Sequence, residues 1–232
     1  MRLFAMLLAF IVTTPAFAWD ATLLADARFS PDGRYFSFIE YVELTDADEE
    51  AHASFYLVDT ATDSWVEGTP MRIKLTGPRA TEANVLNAIR NKGAGMIAKY
   101  GMRDAGRPAV SFRDVDRENP YARRRSAAIA VPGKATLDLR ERRAKSAHGC
   151  TEDYHHASDF RLVMKGSAQP VLLADYVGRL PRSRGCAVSY DIAAAFVHSA
   201  GNRTVLATLV GVYTPGWEGT NRTLMAVTKV LP

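Results

Sequence analysis

Three of the chain's five histidines fall within nine residues, His148-Gly149-Cys150-Thr151-Glu152-Asp153-Tyr154-His155-His156. Neutral imidazole beside carboxylate or thiolate can hold zinc or copper. His148, Asp153, His155 and His156 are therefore the candidate metal ligands. Two features count against a metal. The spacing matches no zinc signature, and Cys150 has a competing use. Its only fellow cysteine is Cys186, and in an oxidising compartment an even pair most simply forms one disulfide. The closed loop of about 36 residues is worth about 3–4 kcal/mol in the chain-entropy model. The plainer reading of the cluster is a polar surface loop beside that bridge, and no cofactor is expected.

A second candidate is the run Pro215-Gly216-Trp217-Glu218-Gly219, with Arg222 just beyond it. Loops on a rigid sheet often carry recognition, so Trp217, Glu218 and Arg222 form a candidate ligand or partner loop. A tight turn pinned by a buried Trp is the competing reading. The basic set Arg123-Arg124-Arg125, Arg140, Arg142, Arg143 and Lys145 could face acidic envelope polymers, or serve as a solvated strand edge that discourages edge-to-edge pairing. Asp46-Ala47-Asp48-Glu49-Glu50 offers oxygen ligands, but lacks the alternating ligands and central Gly of a calcium loop. Nucleophile signatures are missing: no Gly-x-Ser-x-Gly, no Ser-x-x-Lys, no His-Glu-x-x-His. No catalytic residue is assigned.

These residues need a frame, and the sequence supplies most of one. Ser30-Pro31-Asp32-Gly33 is turn chemistry, with Pro31 presetting the first turn residue and Gly33 supplying positive φ. Strands are expected at Tyr35 to Val42, Ser54 to Asp59 and Ser64 to Val66, as an antiparallel meander. Thr81 can cap a helix with the stripe Val85, Leu86 and Ile89 and with Asn91-Lys92-Gly93 as its C-terminal signal. A second piece, Met96 to Tyr100, can continue it, because Gly93 and Gly95 weaken a helix without forbidding it, and Gly101 stops it. Residues 103–121 read as a long loop, the best candidate linker, with a short strand near Val110 to Phe112. Further strands are expected at Ser126 to Val131, Thr136 to Lys145, Phe160 to Val163, Pro170 to Leu173, Ala187 to His198, Thr204 to Tyr213 and Thr223 to Val230. A turn, long strand, wide connection and strand occur at both ends of the chain. The two units could pair in one sheet or stack as related modules.

The leader sets the compartment. Met1-Arg2, the apolar run Leu3 to Val12, and Ala16-Phe17-Ala18 form the three parts of a secretory signal peptide cleaved after Ala18. The apolar run is far shorter than the roughly 20 residues that span a bilayer, and no cysteine follows the cleavage point to take a lipid. Residues 1–18 are thus signal peptide, and 19–232 one β-rich secreted domain with no transmembrane segment. Cleavage removes Arg2 alone among the charges, leaving 28 Lys+Arg against 25 Asp+Glu, or +3. Charge is unevenly placed. Glu40 to Asp59 holds seven acidic residues and no Lys or Arg, while Arg103 to Lys145 holds twelve basic against six acidic. Such fields steer partners of opposite sign.

Two resemblances follow from particular residues. Phe29 to Phe38, with Tyr56-Leu57-Val58-Asp59-Thr60-Ala61-Thr62, resembles one blade repeat of TolB-type β-propellers over about 40 residues. A complete propeller needs at least four blades, and one clear copy is present. More widely, Ser30-Pro31-Asp32-Gly33-Arg34-Tyr35-Phe36, Leu180-Pro181-Arg182-Ser183-Arg184-Gly185-Cys186 and Pro215 to Arg222 occur in this order behind the leader. That pattern is similar to a bacterial family of predicted secreted proteins, a domain of unknown function. The last block departs from it at Trp217, where Phe is expected, and at Thr220-Asn221, where Pro-Asp is expected. The resemblance implies export and a shared β-rich fold, and carries no activity.

The expected fold is mainly β (α+β), with antiparallel sheets, one helical insertion, and propeller-blade-like modules as the variant left open. The expected function is that of an exported, non-catalytic binding module, periplasmic or secreted. Its partner would be an envelope protein or an acidic envelope polymer, and the export route takes it away from nucleic acid. The alternative is an envelope hydrolase or metal-dependent enzyme built from dispersed residues, with His148, His155 or His156 meeting Asp153 or Asp159 in a cleft.

Overall fold

Turn chemistry at Ser30 to Gly33 starts the fold as the sequence predicts. The computed structural model describes residues 21–42, 50–112, 123–131, 133–144, 150, 156–166, 169–177, 186–216 and 220–232. The expected signal peptide lies outside these. Gly33 has φ +67°, its N–H donates to the Ser30 carbonyl, and the Ser30 hydroxyl donates to Asp32 Oδ1 at 2.6 Å. The turn joins β1 (Thr22–Phe29) to β2 (Tyr35–Val42), and β3 (Glu50–Asp59) and β4 (Ser64–Trp65) continue the antiparallel meander. A further strand, β5 (Met71–Thr76), pairs with the other half of β3.

One face of this first sheet is covered by α1 (Glu82–Lys99), a single helix that runs through Gly93 and Gly95. The Thr81 hydroxyl accepts from the Asn84 N–H at 3.3 Å, and Lys99 lies in the last turn, where a cation suits the helix dipole. Val85, Leu86 and Ile89 pack on Ile39, Phe55 and Leu57. Gly93 is in the helix because of this packing: a Cβ there would sit 3.3 Å from the Phe55 ring.

Two more sheets follow. β7 (Ser126–Val131), β8 (Gly133–Arg143), β9 (Ser158–Lys165) and β10 (Val171–Asp175) form a meander, the outer sheet. The middle sheet has the order β13-β12-β11-β6, from β13 (Thr220–Leu231), β12 (Arg203–Pro215), β11 (Ser189–Ala200) and β6 (Arg107–Ser111). Segment 103–121, read as a linker, is in its described part tied into the middle sheet, with β6 lying a few residues earlier than expected.

The layers follow from burial. On the middle sheet, Ala194, Phe196, Val205 and Leu209 face Phe29, Phe36 and Phe38 of the first sheet. Ile192, Ala195, Val197, Leu206 and Val210 face Leu137, Phe160 and Leu162 of the outer sheet. A strand buried on both faces reads as a continuous apolar run, which is why Ile192 to Val197 shows no alternation. The order is helix, first sheet, middle sheet, outer sheet. Each Phe buried in this way contributes about 1.5–3 kcal/mol. The two similar end units lie in different sheets and stack face to face. Three sheets are formed by the described residues, short of the four blades a propeller needs.

Candidate binding surface

Period-two alternation decides what the outer sheet presents. Leu137, Leu139, Phe160 and Leu162 point into the core, so Lys134, Asp138, Arg140 and Arg142 of β8 and Arg161 and Lys165 of β9 fall on the opposite face. Neighbouring β7 offers only the small exposed side chains of Ser126, Ala128 and Ala130. Beyond β9, Leu172 and Asp175 are exposed on β10. Among the described residues this is an open sheet face.

Its cations outnumber its carboxylates. Asp138 is shared between Lys165 and Arg140, Arg161 pairs with Asp175 at 2.7 Å, and Arg142 reaches the buried Asp159 at 3.3 Å. The Lys165 ammonium beside Asp138 is the main reason its carboxyl sits below the usual range. Arg140 stands directly opposite Arg161 across the β8–β9 pair, both more than half exposed. Like charges directly opposite each other destabilise a sheet. Asp138 and Asp175 offset part of that repulsion. An anion between the two arginines would relieve more of it, and a guanidinium fork matches carboxylate or phosphate in two-point contact.

The sequence candidates are dispersed. His148, Asp153 and His155 lie outside the described residues. His156 is exposed, and its Nδ1 accepts from Arg143 at 2.6 Å. Among the described residues Asp159 meets Arg142. Among the described residues no group of three His, Cys, Asp or Glu could hold a metal ion. Cys150 and Cys186 form the expected disulfide, with Cα atoms 4.8 Å apart.

Trp217 and Glu218 also lie outside the described residues. Arg222 is placed away from solvent: 2% exposed on β13, it contacts the fully buried Asp191 at 3.3 Å. Gly211 makes the room, since a Cβ there would lie 2.0 Å from Asp191 Oδ1.

The arginine cluster splits in two. Arg123 covers the Tyr213 ring at 3.9 Å, Arg124 lies over Phe112 and 3.8 Å from Asp191, and Arg125 pairs with Glu141 at 2.5 Å. Glu141 in turn accepts from the Ser189 hydroxyl. These three arginines clamp the outer sheet to the middle one. Arg140 and Arg142 look outward, and Lys145 lies outside the described residues. Lys134, Arg161 and Lys165 are absent from the sequence-level site, although the spacing of Arg161, Val163 and Lys165 already puts them on one strand face.

His198 is a buried histidine outside the sequence candidates. His198 stacks on Phe29 and its Nε2 lies 3.1 Å from the Pro31 carbonyl, while Nδ1 faces Asp104 at 3.4 Å. A Cβ on Gly33 would touch its ring at 3.0 Å. The Ser-Pro-Asp-Gly turn is thereby fitted to the middle sheet, which gives that motif a structural role.

The fold and this surface define a layered antiparallel β protein with a buried ionic clamp and a basic outer face. The family model described as predicted secreted protein (DUF2259) matches residues 40–229, and the chain belongs to that family. It is a predicted secreted protein of unknown function. No curated protein and no solved structure matches it. No helix among the described residues is long and apolar enough to cross a membrane.

Proposed function

We propose that the mature chain, residues 19–232, is one non-catalytic binding domain of the cell envelope, acting in the periplasm or beyond it. Its partner is an acidic envelope polymer, held on the outer face of the β7–β10 sheet. The observation that carries this reading is Arg140 directly opposite Arg161 on an open face with Lys134 and Lys165. Contacts of this kind weaken with salt, because the screening length falls from about 10 Å at 0.1 M to about 3 Å at 1 M.

The test is retention of the unreduced mature protein on immobilised poly-L-glutamate and on neutral dextran. The reading expects retention on the polyanion alone, and release as salt rises. Equal behaviour on the two matrices contradicts it.

A further inference from the structure

At the turn end of the same basic face, the seam between the outer and middle sheets opens into a cavity of about 170 Å³. Its walls are Val131, Ala135, Met164, Val171 and Leu231, and Lys134 stands in its lining. Val131, Ala135 and Met164 belong to the core, so the cavity is a gap in the packing between sheets.

We infer that the acidic partner carries an aliphatic chain, whose end enters this cavity while its anionic head meets Lys134 and the basic face. The inference rests on the polyanion reading and narrows it to an anionic amphiphile. Size sets what enters. A cavity of about 150 Å³ accepts a benzene-sized group, so this one takes the last few carbons of a chain and leaves the rest on the surface. Chemistry sets the orientation: Val131, Met164, Val171 and Leu231 offer carbon to the chain, Thr204 adds a hydroxyl, and Lys134 is the one cationic side chain in the lining.

The experiment titrates the mature protein with a series of n-alkyl phosphates below their micelle concentrations, beside inorganic phosphate and matching n-alkanols. Affinity should rise roughly fourfold per methylene, the value of burying one, and level off once the cavity is full. Lys134→Glu should weaken the alkyl phosphates at least tenfold. Val171→Trp, or Leu231→Trp if the first variant fails to fold, should flatten the rise and leave retention on poly-L-glutamate unchanged. A flat series with polyanion retention intact overturns the chain and leaves the basic face standing. Alkanols binding as tightly as alkyl phosphates overturn the role of Lys134. Loss of polyanion retention with a rising series overturns the basic-face reading alone.

Discussion

Asp63, in the turn between β3 and β4, accepts hydrogen bonds from both the backbone N–H and the hydroxyl of Thr228, at 2.7 and 2.8 Å, on the edge strand β13. Side chains of the first sheet meet this edge elsewhere too. Glu40 accepts from the Leu224 N–H at 2.7 Å, and Thr22 donates to the Arg222 carbonyl. An unpaired edge invites association with other strands, and here it is occupied within the molecule.

Burial pushes the Asp63 carboxyl above its ordinary value of 3.8, and the Thr228 bonds only partly offset this. With the folded value raised, the native state binds more protons, so the group's contribution is full below about 3.8 and declines as pH rises through the folded value. Asp63→Asn keeps an acceptor for Thr228, stays neutral, and tolerates the φ of +50°. It should match or exceed the parent in urea unfolding at pH 7, with any advantage vanishing in acid. Asp63→Ala strands the Thr228 N–H and should cost about 1–3 kcal/mol.

The opposite sign applies to Asp32 and Asp59. The Ser30 hydroxyl holds Asp32 below its usual range, and the Arg34 guanidinium does the same for Asp59. Their stabilisation is present above about pH 3.8 and lost as pH falls through the lower folded values. Asp59→Asn should therefore flatten the acid side of the stability profile and leave the difference from the parent greatest near neutrality. Urea midpoints between pH 2 and 7 report both.

Asp191 and Arg222 form a buried pair under Gly211. Removing one partner of such a pair strands the other charge, at about 3–5 kcal/mol. Asp191→Ala should show that loss in denaturant melts. Gly211→Ala should show a loss in the same direction, because its methyl group has no space between the two side chains.

Much of the frame is legible from the chain because local chemistry and tertiary packing agree there. Ser30 to Gly33 and the Thr81 cap behave as their residue types dictate. Other features depend on neighbours distant in sequence. Gly93 reads as a weakness in a helix and proves to be a close approach to Phe55. Met71 to Thr76 alternates apolar and polar residues, yet only its pairing with β3 makes it a strand. Of the two arrangements open to the similar end units, pairing and stacking, the packing of Phe29, Phe36 and Phe38 on Phe196, Val205 and Leu209 selects stacking. Arg222, placed by sequence on a candidate ligand loop, is drawn inward by Asp191, a residue in the middle of an apolar run. The basic face is the least legible part, since Arg140 and Arg161 become opposite only through the register of two strands.

The disulfide joins segments 36 residues apart. Reduction, or Cys150→Ser with Cys186→Ser, should lower stability by about 3–4 kcal/mol on the chain-entropy model. Calorimetry with and without reductant would measure it, and the clamp at Arg123 to Arg125 should let the reduced chain remain folded.

The most direct test of the basic face is charge reversal in place. Affinity for poly-L-glutamate in low salt would be measured for Arg140→Glu with Arg161→Glu, and for Arg72→Glu with Arg79→Glu as a control on exposed cations far from the face. The account predicts at least a tenfold loss in the first pair and little change in the second. Equal losses in both would mean that net charge alone governs binding, and would contradict a site on the outer sheet.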